Sequence, residues 1–204
     1  MIDVPAQTDR IGLCADVHGT YNNVLKLQEQ RPEVVHWFCA GDVVDMHKAL
    51  HYNQPALRVL SRKKIPSVMG NHDYRFKENK VRRLGEEARA YLSQMPFRLD
   101  IQFGDFRIRI YHATPESRES FALERAGEET FRALFGEEGA GVIGEFDIVV
   151  LGHTHKPYVR DIGRARFINP GALGLSEEEP PSFCVLSRDG PAEIVYLGEN
   201  GFKK

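Results

Sequence analysis

Short apolar runs alternate with segments of helical spacing through the first half of the chain. Ile11 to Ala15 is a strand-like run, Tyr21 to Gln30 carries a helical pattern and Val34 to Ala40 is a second run, which together predict a β-α-β unit. Lys48 to Arg62 predicts a helix and Ile65 to Met69 a third strand. Val81, Leu84, Ala88 and Leu92, at spacings of three and four, predict a further helix over Lys77 to Ser93. Parallel strands with crossover helices fit this order.

After Pro96 the texture changes. Leu99 to Phe103 and Arg107 to Tyr111 alternate apolar and polar residues around Gly104-Asp105, a hairpin signal. A charged helical segment, Glu119 to Phe135, and a Gly-rich connection, Gly136 to Gly144, precede a strand at Asp147 to Leu151. Further runs occupy Val159 to Asp161, Arg164 to Ile168, Ser182 to Ser187 and Ala192 to Leu197, while Ser176 to Glu179 with Pro180-Pro181 predicts a surface turn. The expectation is one domain over residues 1–204, with two packed sheets and helices outside them.

Composition narrows the function. The 204 residues carry 27 Lys plus Arg against 29 Asp plus Glu, a formal charge of −2, so a dedicated duplex binder is disfavoured. Basic stretches at Arg58 to Lys64 and Lys80 to Arg83 leave nucleic acid open without favouring it. The apolar runs fall far short of the roughly 20 residues a spanning helix needs, which argues against a membrane protein. The first ten residues lack the basic start and apolar stretch of a signal peptide, which points to the cytoplasm. Cys14, Cys39 and Cys184 each sit inside an apolar run and are expected to be buried free thiols. No stripe identifies an interface, so a homo-oligomer is left open.

Five polar clusters each follow a strand-like run, where a sheet presents residues at one edge. They are Asp16-Val17-His18-Gly19, Gly41-Asp42-Val43-Val44-Asp45, Gly70-Asn71-His72-Asp73, Tyr111-His112 and Gly152-His153-Thr154-His155, and they hold five of the eight histidines. Alternate side chains of an extended segment share a side, so Asp16 with His18, and His153 with His155, can face one metal region. Mixed carboxylate and imidazole donors suit Mn, Fe, Zn or Ni better than Ca or Mg. Singly, each cluster has a plainer explanation: Asp16 and Asp42 as helix caps, His112 as a core histidine, Asn71 as a turn residue. Five at successive strand ends are harder to explain that way.

The ordered set D-x-H, G-D-x-x-D, G-N-H-D, a lone His and G-H-x-H resembles the calcineurin-like metallophosphoesterases, and Asn169-Pro170-Gly171 resembles that family's N-P-G-S loop. The size is similar to its compact single-domain prokaryotic phosphodiesterases. The resemblance implies an α/β (α+β) fold, a four-layer αββα sandwich of two mixed sheets face to face flanked by helices. It also implies that Asp16, His18, Asp42 and His155 hold one divalent metal and that Asp42, Asn71, His112 and His153 hold a second. Mn²⁺ is the first choice, with Fe, Ni, Zn or Co as alternatives. His72 would face the substrate, Asp73 would orient His72 by hydrogen bonding, and Asp45 would fix its loop. Thr20, Ala113 and Ala172 depart from the family's usual residues but remove no ligand.

The implied activity is hydrolysis of a small, nucleotide-type phosphodiester by in-line attack of a hydroxide bridging two metals about 3.5 to 4 Å apart. His72 would stabilise developing charge or protonate the leaving oxygen. Arg75, which follows the third cluster, is the candidate phosphate contact because its guanidinium fork matches phosphate oxygens. A phosphomonoesterase, a dinucleotide polyphosphate hydrolase or a nuclease is the alternative, and a non-catalytic binding scaffold a weaker one.

Overall fold

The computed structural model describes residues 1–120, 126–136, 139–174 and 179–198. Its smaller sheet has four strands in the order β10 (Ala192–Tyr196), β9 (Ser182–Ser187), β2 (Arg10–Cys14) and β3 (His36–Cys39). The larger has six, in the order β1 (Ile2–Asp3), β4 (Arg98–Phe103), β5 (Phe106–Tyr111), β6 (Ile148–Val150), β8 (Ala165–Asn169) and β7 (Tyr158–Ile162). Both sheets are mixed: β2 pairs parallel with β3 and antiparallel with β9, while β5, β6 and β8 run parallel between antiparallel neighbours.

Strand alternation builds the layers. Ile11, Leu13, Phe38, Cys184 and Leu186 face Ile101, Ile108, Ile110, Val150 and Ile168 across the space between the sheets. On the opposite face of the smaller sheet, Trp37, Phe183 and Val185 meet apolar residues of α1 (Tyr21–Gln30), α2 (Leu50–Arg62), α3 (Asn71–Lys80) and α4 (Glu86–Gln94). The outer face of the larger sheet, with Tyr111, Val149 and Phe167, is covered by Phe131 and Phe135 of α5 (Glu128–Phe135). This is the expected αββα sandwich. Each buried Leu, Ile or Phe contributes about 1.5–3 kcal/mol by leaving water.

Two expectations need correcting. Ile65 to Met69 is not a full strand: it makes one parallel bridge, Ser67 to Cys39, because Pro66 has no N–H to extend the ladder. The helix expected over Lys77 to Ser93 is instead two, since α3 starts at Asn71, passes into a 3-10 turn at Val81–Arg83 and is separated from α4 by Leu84 and Gly85. Strand β1 has no signature in the sequence because two residues carry no periodicity. The helix expected from Glu119 is present as α5, and residues 121–125 of that stretch lie outside the described residues, as do 176–178 of the expected acidic turn. No helix among the described residues is long and apolar enough to cross a membrane.

At one edge the sheets converge. Ala15 and Ala40 are the last inward-facing residues there, and a Cβ added to Gly152 would lie 3.0 Å from Ala15 Cβ and from the Ala40 carbonyl. Only small side chains fit between the sheets at that end.

Candidate metal centre

That converging edge carries the polar clusters. Asp16 and His18 follow β2, Asp42 follows β3, His112 follows β5, His153 and His155 follow β6, and Asn71 to Asp73 form the first turn of α3. No helix begins at Asp16 or Asp42, so capping does not account for them. Instead the chain turns sharply: Asp16, His18, Asp42, His153 and His155 all have positive φ, between 46° and 67°. For non-glycine residues this left-handed region costs about 1–2 kcal/mol each, strain of a kind that clusters at functional sites.

The turns bring the donors together. Ligand atoms of Asp16, His18 and His155 lie within 4.8 Å of one another, as do those of Asp42, His112 and His153, and those of His18, Asp42 and His72. His18 Nε2 is 3.0 Å from His155 Nε2. Asp42 Oδ2 is 4.0 Å from His18 Nε2 and 3.4 Å from His112 Nε2, so one carboxylate faces both groups. Asn71 Oδ1 is 2.9 Å from His112 Nε2. Asp16 Oδ1 is buried, 3.5 Å from His155 Nε2, and accepts no hydrogen bond. An orphaned carboxylate oxygen among nitrogen and oxygen donors is what divalent cations satisfy, so the residues fit a metal centre.

Outer hydrogen bonds aim these groups. His112 Nδ1 donates to the Ala40 carbonyl at 2.8 Å, turning Nε2 inward. The His153 N–H donates to Asp16 Oδ2 at 2.9 Å and the His72 N–H to Asp42 Oδ1 at 2.9 Å, leaving the other oxygen of each carboxylate for the centre. Gly70 permits the second contact, because a Cβ there would fall 2.0 Å from Asp42 Oδ1.

The ionisable groups of the centre shift one another strongly. Burial alone would lower the His112 pKa, but the Asp42 charge and hydrogen bond outweigh it and lift the imidazole to about 10. Burial works against the Asp42 carboxylate, yet His112 and the other imidazoles hold it well below the ordinary range. Burial and the charge on His112 push His153 down to about 4. A metal bound by neutral imidazoles would displace the extra proton of His112.

Asp73 differs from expectation. It does not reach the His72 ring: Oδ1 accepts the Val44 N–H at 3.0 Å and Oδ2 the Gly70 N–H at 3.1 Å, because the helical turn sends adjacent side chains in different directions. Burial and the Asp42 charge raise its pKa to about 7. The His72 ring is instead set by the Met46 N–H, which donates to Nδ1 at 3.2 Å. Arg75 has its fork engaged by Glu119, with Nη2 at 2.7 Å and Nε at 3.1 Å. Asp45 fixes its loop, accepting the His47 N–H at 2.9 Å and lying 3.6 Å from His72 Nδ1.

Two buried asparagines complete the scaffold. Asn53 bonds both the N–H and the carbonyl of Asp45, at 2.8 and 2.7 Å. It sits in the apolar stripe Leu50, Leu57, Leu60, and a polar residue on such a stripe was the signal available in the sequence. Asn169 donates to the Gly152 carbonyl at 2.9 Å and to Thr154 Oγ1 at 3.0 Å, bracing the turn that carries His153 and His155.

A two-sheet sandwich with metal-ligand side chains gathered at one edge fits a metal-dependent class of protein, and similarity to known proteins gives the family. Residues 10–190 match the calcineurin-like phosphoesterase superfamily domain, and the chain belongs to that superfamily. It is 28% identical over 117 residues to a probable metallophosphoesterase of Methanothermobacter thermautotrophicus, a match spanning 56% of this chain and 60% of that protein's length. Its fold is similar to a hypothetical protein of Pyrococcus horikoshii, at TM-score 0.75, 14% identity and coverage of 92% and 87% of the two chains. It is also similar to an archaeal phosphodiesterase, at TM-score 0.60, 17% identity and coverage of 92% and 99%.

Proposed function

We propose that the chain is a dinuclear metal-dependent phosphodiesterase acting on small nucleotide-type diesters. The observation that carries this reading is the pair of ligand groups facing a shared carboxylate, Asp42, with His72 beside them. Asp16, His18, Asp42 and His155 hold one cation and Asp42, Asn71, His112 and His153 the other, with Mn²⁺ the first choice and Fe, Ni, Zn or Co the alternatives. When bound, the cations supply Lewis acidity toward phosphoryl oxygens and a water activated for attack.

The chain's own residues hold and aim. The His72 N–H fixes Asp42 so that Oδ2 serves both positions. Because Met46 N–H occupies His72 Nδ1, the proton of the neutral ring sits on Nε2, where it can be donated to a phosphoryl or leaving oxygen. Asp73 locks the Val44 and Gly70 backbones on either side of Asp42. Two cations beside the site already have carboxylate partners, Arg75 with Glu119 and Lys48 with Asp45. That pairing supports a singly charged diester over a doubly charged monoester. The archaeal phosphodiesterase with a similar fold is consistent with this preference.

The test is hydrolysis of bis(4-nitrophenyl) phosphate and 4-nitrophenyl phosphate by metal-stripped protein, with Mn²⁺, Ni²⁺, Zn²⁺ and Mg²⁺ restored separately. Metal-dependent cleavage favouring the diester supports the reading. A monoester preference replaces it with a phosphatase, and no turnover by protein holding two ions moves the weight to a binding role.

A further inference from the structure

Imidazole rings continue outward from the ligand groups in a row. Ring centroids are 4.9 Å apart for His155 and His18, 4.8 Å for His18 and His72, and 5.7 Å for His72 and His47. The row runs from half-buried His155 through buried His18 and half-buried His72 to an exposed ring, His47, edge-on to His72. Nearby, in the first turn of α2, His51 and Tyr52 lie against each other with centroids 4.2 Å apart, and Tyr52 is 54% exposed. This turn abuts the Asp16 to Gly19 segment, since a Cβ on Gly19 would stand 3.2 Å from the Tyr52 carbonyl.

The segment bearing His47 is irregular but firmly tied. Its N–H goes to Asp45 Oδ1, and Asn53 grips the Asp45 backbone on both sides. Lys80 Nζ donates to the Met46 carbonyl at 2.9 Å, and Lys48 Nζ reaches the His18 carbonyl at 2.9 Å. Three exposed rings are thus carried on well-anchored backbone at the rim of the metal centre. The three rings touch only one another and His72 among the ring contacts of the described residues, and their exposure leaves faces open to a ligand.

We propose that His47, His51 and Tyr52 form the subsite for a ring-bearing ester arm of the substrate, a nucleoside or a group of similar flat shape, with His47 and Tyr52 its main contacts. This rests on the phosphodiesterase reading and adds where, and with which residues, the non-reacting arm is recognised. Flat rings on a fixed backbone lose little freedom when another ring stacks on them, so they discriminate arms by shape and polarisability. His72, one ring further in, faces the phosphoryl group while His47 meets what is attached to it.

The experiment compares two diesters that release the same 4-nitrophenolate and differ only in the retained arm: 4-nitrophenyl thymidine 5′-phosphate and methyl 4-nitrophenyl phosphate. With Mn²⁺ restored, the wild type is expected to favour the thymidine diester by about tenfold or more in kcat/KM. His47→Ala and Tyr52→Ala should each cut that ratio by about threefold or more, and the double variant should bring it near unity. Both substrates report on the same enzyme molecules, so partial misfolding of a variant cancels from the ratio. A wild-type ratio near one, or a ratio unchanged in the double variant, overturns the subsite and leaves the phosphodiesterase reading intact. Failure of the wild type to cleave either diester removes the parent reading and the subsite with it.

Discussion

The backbone N–H of His72 donates to Asp42 Oδ1 at 2.9 Å, so the carboxylate facing both ligand groups is steadied by the helix turn that carries the imidazole proposed to meet the substrate. Asp42→Asn keeps an acceptor for that N–H while removing the charge. Mn²⁺ content, measured by plasma mass spectrometry, is expected to fall from two ions per chain to one or none, with diester turnover down at least about 10²-fold. Two tightly held ions in the variant would falsify the shared role of Asp42.

His72→Ala tests the imidazole separately from metal binding. The expected result is a kcat lower by about 10² to 10⁴ with both ions retained. Because a ring nitrogen of His72 also lies within 4.8 Å of ligand atoms of His18 and Asp42, the metal analysis decides between roles. Loss of an ion would make His72 a ligand.

Asn169 bonds to Gly152 and Thr154 and so braces the turn bearing two candidate ligands. Asn169→Asp retains an oxygen for the Gly171 N–H but lacks the donors used by Gly152 and Thr154. Mn²⁺ affinity by titration calorimetry should weaken about 10- to 100-fold. An unchanged affinity would show that backbone packing alone holds the turn.

All three cysteines are free and buried. Burial pushes the Cys184 thiol up to about 12 from an ordinary value of 9.0. Between these values the unfolded thiol loses its proton and the native one keeps it, so the native state binds more protons and stability falls as pH rises. The stabilising contribution is whole below pH 9 and shrinks by about 1.4 kcal/mol per unit above it. Urea midpoints measured from pH 8 to 11 should show this decline, flattened in Cys184→Ala. Native protein at pH 8 should leave a disulfide reagent uncoloured until denaturant is added, and rapid native reaction would contradict the burial.

The sandwich and the ligand clusters are legible in the sequence for one reason: parallel strands end where the chain must turn, and polar residues after apolar runs mark those ends. Tyr21–Gln30 and Ser182–Ser187 have the expected bounds because periodicity spans the whole of each element. Where a local rule interrupts the pattern, the reading slips. Pro66 withholds one N–H and a strand becomes a bridge, and Gly85 separates two helices whose apolar positions run on continuously. Partner choice is less legible still. Asp73 follows His72 in the chain but bonds Val44 and Gly70, and Arg75 finds Glu119, 44 residues away. Such pairings depend on which loops meet, and no spacing in the sequence encodes that.

The close approach of the two sheets at Ala15, Ala40 and Gly152 sets the candidate ligands on two facing jaws. Asp16, His18 and Asp42 ride on one jaw; His112, His153 and His155 ride on the other. On the dinuclear reading, side-chain volume between the jaws sets the gap that the cations must span. Widening it with a bulkier residue at Ala15 would favour ions of larger radius without altering a single donor atom. On that reading, ion selectivity becomes a property of the hydrophobic filling as much as of the ligands.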